Sequence, residues 1–242
     1  MKNEFIETIN ISKFDTMCRE LEDKDALIGP SLAVVTGPAG RGKTEAARHY
    51  AIHGNAVYIP PMNIRSAPMV LREIAFELGG VRPMRSDACL EIIAAEMAKE
   101  RRIIFIDEAD LLQMAILEML RNLNERCACP IVMIGEEGLK GKIESRRRLA
   151  SRIRSRSRIE FAPISPQDIG FYFKRCLGLN KVSADVLAAI HKHCRGDWRP
   201  VLTVAIGIER MMNASGGKPD GHGGKIIEIT MEMVTDVIND VR

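Results

Sequence analysis

The segment Gly37-Pro38-Ala39-Gly40-Arg41-Gly42-Lys43-Thr44 follows the spacing G-x-x-x-x-G-K-[ST] and begins directly after the apolar run Leu32 to Val35. Each residue type has a task in holding a chain of phosphates. Gly37, Gly40 and Gly42 let successive backbone N–H groups turn toward the β-phosphate, while Pro38, Ala39 and Arg41 fill the variable positions. The Lys43 ammonium reaches the β- and γ-phosphates, and the Thr44 hydroxyl is placed to ligate Mg²⁺. Glu45 to His53 reads as a helix whose N-terminus faces the phosphates and whose stop is Gly54. Strand, loop and helix in this order imply a nucleoside triphosphate site, with ATP and Mg²⁺ as its expected occupants.

A second group of acids belongs with it. Ile103 to Ile106 is an apolar strand that ends in Asp107 and Glu108. A buried parallel strand tolerates carboxylates only at its C-terminal end, the end at which the phosphate loop lies. Asp107 is expected to hold Mg²⁺ through its water shell, and Glu108 to orient or deprotonate the attacking water. The letters Asp107-Glu108-Ala109-Asp110 also spell a helicase signature, but a helicase needs a second motor domain and the chain has 242 residues.

Basic residues are concentrated between Lys140 and Glu160, where nine cations face two acids, a local charge of +7 against +3 for the whole chain. Such a localised field attracts a polyanion or an acidic neighbour. Lys140, Lys142, Arg146, Arg147, Arg148, Arg154, Arg156 and Arg158, set along one face, would neutralise phosphates of a DNA duplex without reading bases. The stretch carries no aromatic residue for stacking on single strands. Arg152 is expected at the end of a helical arginine-rich stretch, either as a cation offered to a neighbouring subunit's γ-phosphate or as one more solvated arginine. Gly196-Asp197-Trp198-Arg199 precedes a helix, and Arg199 there could fold over the γ-phosphate.

The elements that position these groups follow from periodicity. Strands are predicted at Leu32–Thr36, Ala56–Ile59, Ile103–Asp107, Ile131–Gly135 and Ile159–Phe161. Helices at Thr44–His53, Ala67–Leu78, Asp87–Glu100 and Leu111–Asn122 alternate with them. That alternation predicts a three-layer α/β fold on a five-stranded, mostly parallel sheet. From Ser165 the pattern is helical only, over Asp168–Leu177, Ser183–Cys194, Pro200–Asn213 and Thr230–Val241, with a glycine-rich loop at Ala214 to Gly224. Three regions are expected: a lead-in at 1–30 with an amphipathic stretch at Ile11 to Leu21, a nucleotide-binding core at 31–163, and a helical domain at 164–242. Ile28 and Gly29, just ahead of the first core strand, are candidates for the adenine pocket or plain connector. The six cysteines lack zinc-finger spacing, and neither a secretory signal nor an apolar stretch of bilayer length is present. A soluble, cytoplasmic protein with reduced thiols is therefore expected.

With phosphate loop, paired acids, pre-strand arginine and Gly-Asp-x-Arg in this order, the chain resembles the AAA+ ATPases. Within them it is most similar to the DNA-transposition ATPases of the phage Mu B type. The resemblance implies a helical lid after the core, Asp107 and Glu108 as metal-binding and water-activating acids, Arg152 as the arginine acting in trans, and Arg199 as the lid sensor. It implies ATP-dependent self-assembly on double-stranded DNA, capture of target DNA and stimulation of a transposase. Replication initiators, helicase loaders and secretion-type assembly ATPases share the same motifs more loosely. The family usually places a polar sensor after the fourth strand, whereas here Gly135 is followed by Glu136, an acid that repels the γ-phosphate and implies slow hydrolysis. The family's N-terminal DNA-binding region has only about thirty residues to occupy here, so DNA affinity is expected to fall on Lys140 to Arg158.

Overall fold

Apolar residues fill both faces of the strands nearest the middle of the sheet, which requires helices above and below it. The computed structural model describes residues 5–23, 31–61, 66–179, 182–214, 218–219, 225–226 and 229–240. Residues 9–161 form one compact unit and residues from 162 onward form the other, with residues 5–8 grouped with the latter.

The first unit runs α1 (Ile9–Glu22), β1 (Leu32–Thr36), α2 (Lys43–His53), β2 (Ala56–Ile59), α3 (Ala67–Gly79), α4 (Ser86–Lys99) and β3 (Ile103–Ile106). It continues through a single turn at Ala109–Leu111, α5 (Met114–Cys127), β4 (Ile131–Ile134), α6 (Glu137–Glu144), α7 (Arg147–Ala150) and β5 (Ile153–Glu160). The five strands lie in the order β2-β3-β4-β1-β5, and every pairing is parallel. β1, β3 and β4 are buried at every residue, as expected of central strands sandwiched between helices. Alternate residues Leu32, Val34, Ile104, Ile106, Ile131 and Met133 share a core with Val70, Ile74, Ile93, Leu117 and Leu120 of the flanking helices. At the aromatic cluster Phe14 of α1 stacks on Phe105 at 5.5 Å, with Tyr50 and Phe161 edge-on. The amphipathic stretch expected in a separate lead-in is thus part of this unit. Ile6, ahead of it, packs in the core of the other unit.

Two boundaries depart from the sequence reading. The acidic strand end leads into one short turn and α5 begins at Met114, so Leu111 is exposed rather than core-facing. More consequentially, the arginine-rich stretch is not one helix: it is split into α6, α7 and a β5 that begins at Ile153, six residues before the predicted strand. Alternating arginine and serine hides this strand from a hydrophobicity pattern, because β5 lies at the sheet edge and buries only Ile153 and Ser157.

The second unit contains α8 (Pro166–Leu177), α9 (Ala184–Cys194), α10 (Trp198–Ala214) and α11 (Met231–Asp240) around Phe173, Ile190, Val204 and Ile208. Ser165 and Asp168 form a reciprocal cap at the start of α8. A two-residue antiparallel pair joins β6 (Lys218–Pro219), inside the glycine-rich stretch read as loop, to β7 (Lys225–Ile226), just after that stretch. The six cysteines are free and buried, and burial pushes the Cys129 and Cys194 thiols up to about 12. Among the described residues, no helix is long and apolar enough to cross a membrane.

Candidate nucleotide site and basic surface

The site is assembled at the C-terminal ends of β1 and β3. These strands are two positions apart in the sheet, about 10 Å, with β4 between them. The loop after β1 turns through three left-handed or positive-φ glycines, Gly37 (139°), Gly40 (72°) and Gly42 (90°), conformations that a side chain would strain. At Gly37 a Cβ would also lie 2.9 Å from the Phe161 carbonyl oxygen. Only glycine fits there. Pro38, Ala39 and Arg41 are half-buried along the loop, and Gly42 leads straight into the N-terminus of α2, the end of a helix that favours an anion.

Lys43 is buried, with its ammonium donating to the carbonyls of Gly37 at 2.7 Å and Pro38 at 2.8 Å. The lysine therefore lies within the loop that the sequence assigned to it. Thr44 Oγ1 donates to Asp107 Oδ2 at 2.9 Å, which joins the first turn of α2 to the end of β3 across 63 residues of chain. Asp107 is buried, and its Oδ1 accepts the Glu108 amide at 2.9 Å. Glu108 is exposed and adopts a left-handed backbone, φ 49° and ψ 37°, which turns the chain sharply after the strand.

Sequence reasoning missed Tyr58. Its phenol donates to the same Asp107 Oδ2 at 2.6 Å, and the Arg48 guanidinium lies 5.3 Å from its ring centroid. Burial, followed by the hydrogen bond to Asp107, raises the Tyr58 pKa above the ordinary tyrosine value, so the phenol remains a proton donor at neutral pH. The only signal in the sequence was a polar tip near the end of an apolar strand.

Glu136 is exposed at the start of α6, after β4, and its amide donates to Asp110 Oδ1 at 3.0 Å. A Cβ at Gly135 would lie 2.5 Å from that same oxygen and 3.0 Å from the Asp110 amide nitrogen, so a side chain there requires the Asp110 carboxylate to shift. Lys142 faces inward here. Its ammonium donates to the carbonyls of Asp110 and, at 3.0 Å, of Leu112, tying α6 to the turn that follows Asp107 and Glu108.

The remaining basic residues fall into separate settings. Lys140 is exposed on α6, Arg146 just before α7, and Arg147 and Arg148 on α7. Arg158 folds back to the carbonyls of Ala150 and Ile153, Arg156 lies 3.4 Å from Glu20, and Arg154 is half-buried on β5. Arg152 stands between α7 and β5 with its Nε 2.6 Å from Glu125 of α5. The eight residues expected on one face are therefore spread over two helices and an edge strand, and Lys142 and Arg158 are turned onto the protein's own carbonyls.

Arg199 is exposed in the first turn of α10, where its amide donates to Asp197 Oδ1 at 2.8 Å, and the adjacent Trp198 ring packs 5.6 Å from that of Tyr172. Ile28 and Gly29 lie outside the described residues.

Comparison with known proteins agrees with this geometry. Residues 28–143 match the AAA domain family model. The chain is 32% identical over 158 residues to the ATP-dependent target DNA activator B of Escherichia phage Mu, covering 64% of this chain and 49% of that protein. It is 34% identical over 115 residues to the Mu-like prophage FluMu DNA transposition protein B of Haemophilus influenzae, covering 46% of this chain and 40% of that one. The chain thus spans about half the length of the curated relatives it matches. Among solved structures, Cdc6p from Pyrobaculum aerophilum superposes with a TM-score of 0.65 at 17% identity, over 89% of this chain and 65% of that one. Domain III of the Thermotoga maritima replication initiation protein DnaA gives 0.58 at 13%, over 98% and 94%. Those two likenesses concern the fold alone. The fold is that of the AAA+ P-loop ATPases, and the chain carries an AAA+ ATPase domain homologous to that of the Mu-type B transposition proteins.

Proposed function

We propose that this protein is an ATP-dependent, sequence-nonspecific duplex-DNA-binding ATPase of the cytoplasm that assembles on DNA, captures target DNA and stimulates a transposase. The observation that carries this reading is the meeting of Thr44 with Asp107 beside the Lys43 loop, in a chain related to a target DNA activator. The exposed cations Lys140 and Arg146 to Arg148 supply the positive surface.

The nucleotide chemistry follows from the residues. Lys43 exchanges its loop carbonyls for the β- and γ-phosphates, and the glycine amides and the α2 N-terminus take up the remaining phosphate oxygens. Thr44 Oγ1 and Asp107 Oδ2 form a pair of hard oxygens that suits Mg²⁺, and these two residues would hold it. When bound, the ion supplies positive charge to the β- and γ-phosphate oxygens. Glu108, exposed beyond the buried Asp107, accepts a proton from the attacking water, so that ATP and water give ADP and phosphate. Arg152 serves a neighbouring subunit. Glu136 keeps turnover slow, which suits ATP as an assembly switch that DNA or a partner stimulates.

Binding to several unrelated duplexes, measured with and without ATP at rising salt, tests the reading. Tight ATP-dependent binding that weakens steeply with salt is expected. Affinity indifferent to nucleotide or to salt overturns it. Preference for an origin sequence or a forked substrate would instead identify a replication loader.

A further inference from the structure

Asp107 is held from three directions. Its Oδ2 accepts Thr44 Oγ1 at 2.9 Å and the Tyr58 phenol at 2.6 Å, while Oδ1 accepts the Glu108 amide at 2.9 Å. The first donor comes from α2, the second from β2 and the third from the carboxylate's own turn. β2 pairs with β3 in the register Tyr58 to Phe105, one step short of Ile59 to Ile106, so the phenol spans from the neighbouring strand to the residue beyond β3. Thr44 belongs to the phosphate machinery already described, and the Glu108 amide is fixed by the backbone. Among the described residues, Tyr58 is the one donor to this carboxylate that no part of the phosphate loop or the acidic turn supplies.

We infer that Tyr58 is a positioning residue for magnesium: its hydroxyl fixes the rotation of the Asp107 carboxylate so that the acid presents a defined edge to a cation and its waters. The inference rests on the reading of Asp107 as a magnesium-holding acid. A carboxylate with one donor fewer rotates more freely, and the ordering it then loses falls on ion binding. Outer-shell hydrogen bonds of this kind typically change metal affinity about 10–100-fold when removed. Arg48, with its guanidinium 5.3 Å from the ring centroid, packs against the same side chain.

The test uses the full chain with Tyr58→Phe, which removes one oxygen and leaves the ring beside Arg48. Binding of a fluorescent ATP analogue is titrated with Mg²⁺, and affinity is measured separately in excess chelator. The expected result is a magnesium midpoint raised about 10-fold, with chelator-state affinity unchanged because Lys43 and the loop are intact. That unchanged affinity also reports that the variant is folded. Should Tyr58→Phe fail to fold, 3-fluorotyrosine at position 58 retains the donor, and a midpoint within about two-fold of the parent is expected by the same outer-shell argument; a 10-fold shift there overturns the inference. Asp107→Asn separates the two levels. If it raises the magnesium midpoint while Tyr58→Phe does not, the inference about Tyr58 is overturned and the reading of Asp107 stands; if neither variant moves it, both are overturned.

Discussion

Glu108 illustrates how one backbone angle separates two adjacent acids. Asp107 ends its strand buried among hydroxyl donors, whereas the left-handed turn at Glu108 carries the next carboxylate to the surface. Two roles for two neighbouring carboxylates follow from that difference. Glu108→Gln is expected to retain ATP and lose hydrolysis by about 10²–10⁴-fold, the usual contribution of a positioned base. Single-turnover kinetics check it, and parental turnover in the variant would remove Glu108 from the mechanism. At the same scale, Gly135→Ala forces a methyl group to within 2.5 Å of Asp110 Oδ1. Overpacking there is expected to cost about 1–3 kcal/mol in urea unfolding, and a variant as stable as its parent would show that the neighbouring carboxylate yields freely.

At the scale of elements, α6 and α7 link the nucleotide site to the basic surface. Lys142 anchors α6 to the Asp110 and Leu112 carbonyls, while Arg146, Arg147 and Arg148 stand exposed just beyond. Substituting those three arginines with alanine is expected to lower the slope of log affinity against log salt by about 3 for duplex DNA, since each phosphate left without its cation takes away about 0.9. Lys142→Met should act differently, leaving the slope in place and lowering stability by about 1.5–3 kcal/mol through loss of charged hydrogen bonds. Salt titrations of DNA binding, set beside urea melts, distinguish the two. A reduced slope in the Lys142 variant would return that lysine to the DNA surface.

Over the whole molecule the question is what a second copy contributes. Arg152 is held by Glu125 of its own chain at 2.6 Å, but both side chains are partly exposed, and pairs of this kind contribute about 0–1 kcal/mol. The arginine can therefore be given up to a neighbour's γ-phosphate at little cost. Mixing an Arg152→Ala subunit with a Glu108→Gln subunit should recover part of the ATPase activity that each lacks alone, because one supplies the arginine and the other an intact site. Absence of recovery across mixing ratios would assign Arg152 to its own chain. A weak basic patch repeated along an assembly gives strong total binding through effective concentration, so in the proposed assembly a small basic surface on each subunit would suffice.

Glycines, lysine, threonine and the acidic strand end were legible as chemistry because their roles depend on local spacing: a loop, a helix N-terminus and a strand terminus are each set by a handful of consecutive residues. The parallel sheet was legible too, since continuous apolar runs separated by amphipathic helices admit few other arrangements. Strand order is non-local, and it alone brings Tyr58 of β2 to Asp107 beyond β3. The same holds for Lys142 and Arg158, which share the charge of their neighbours yet turn onto carbonyls that only folding places within reach. A charge has the same sign anywhere along the chain, but its partner is chosen by packing. For that reason composition announced a basic segment, and the tertiary structure decided which of its cations face outward.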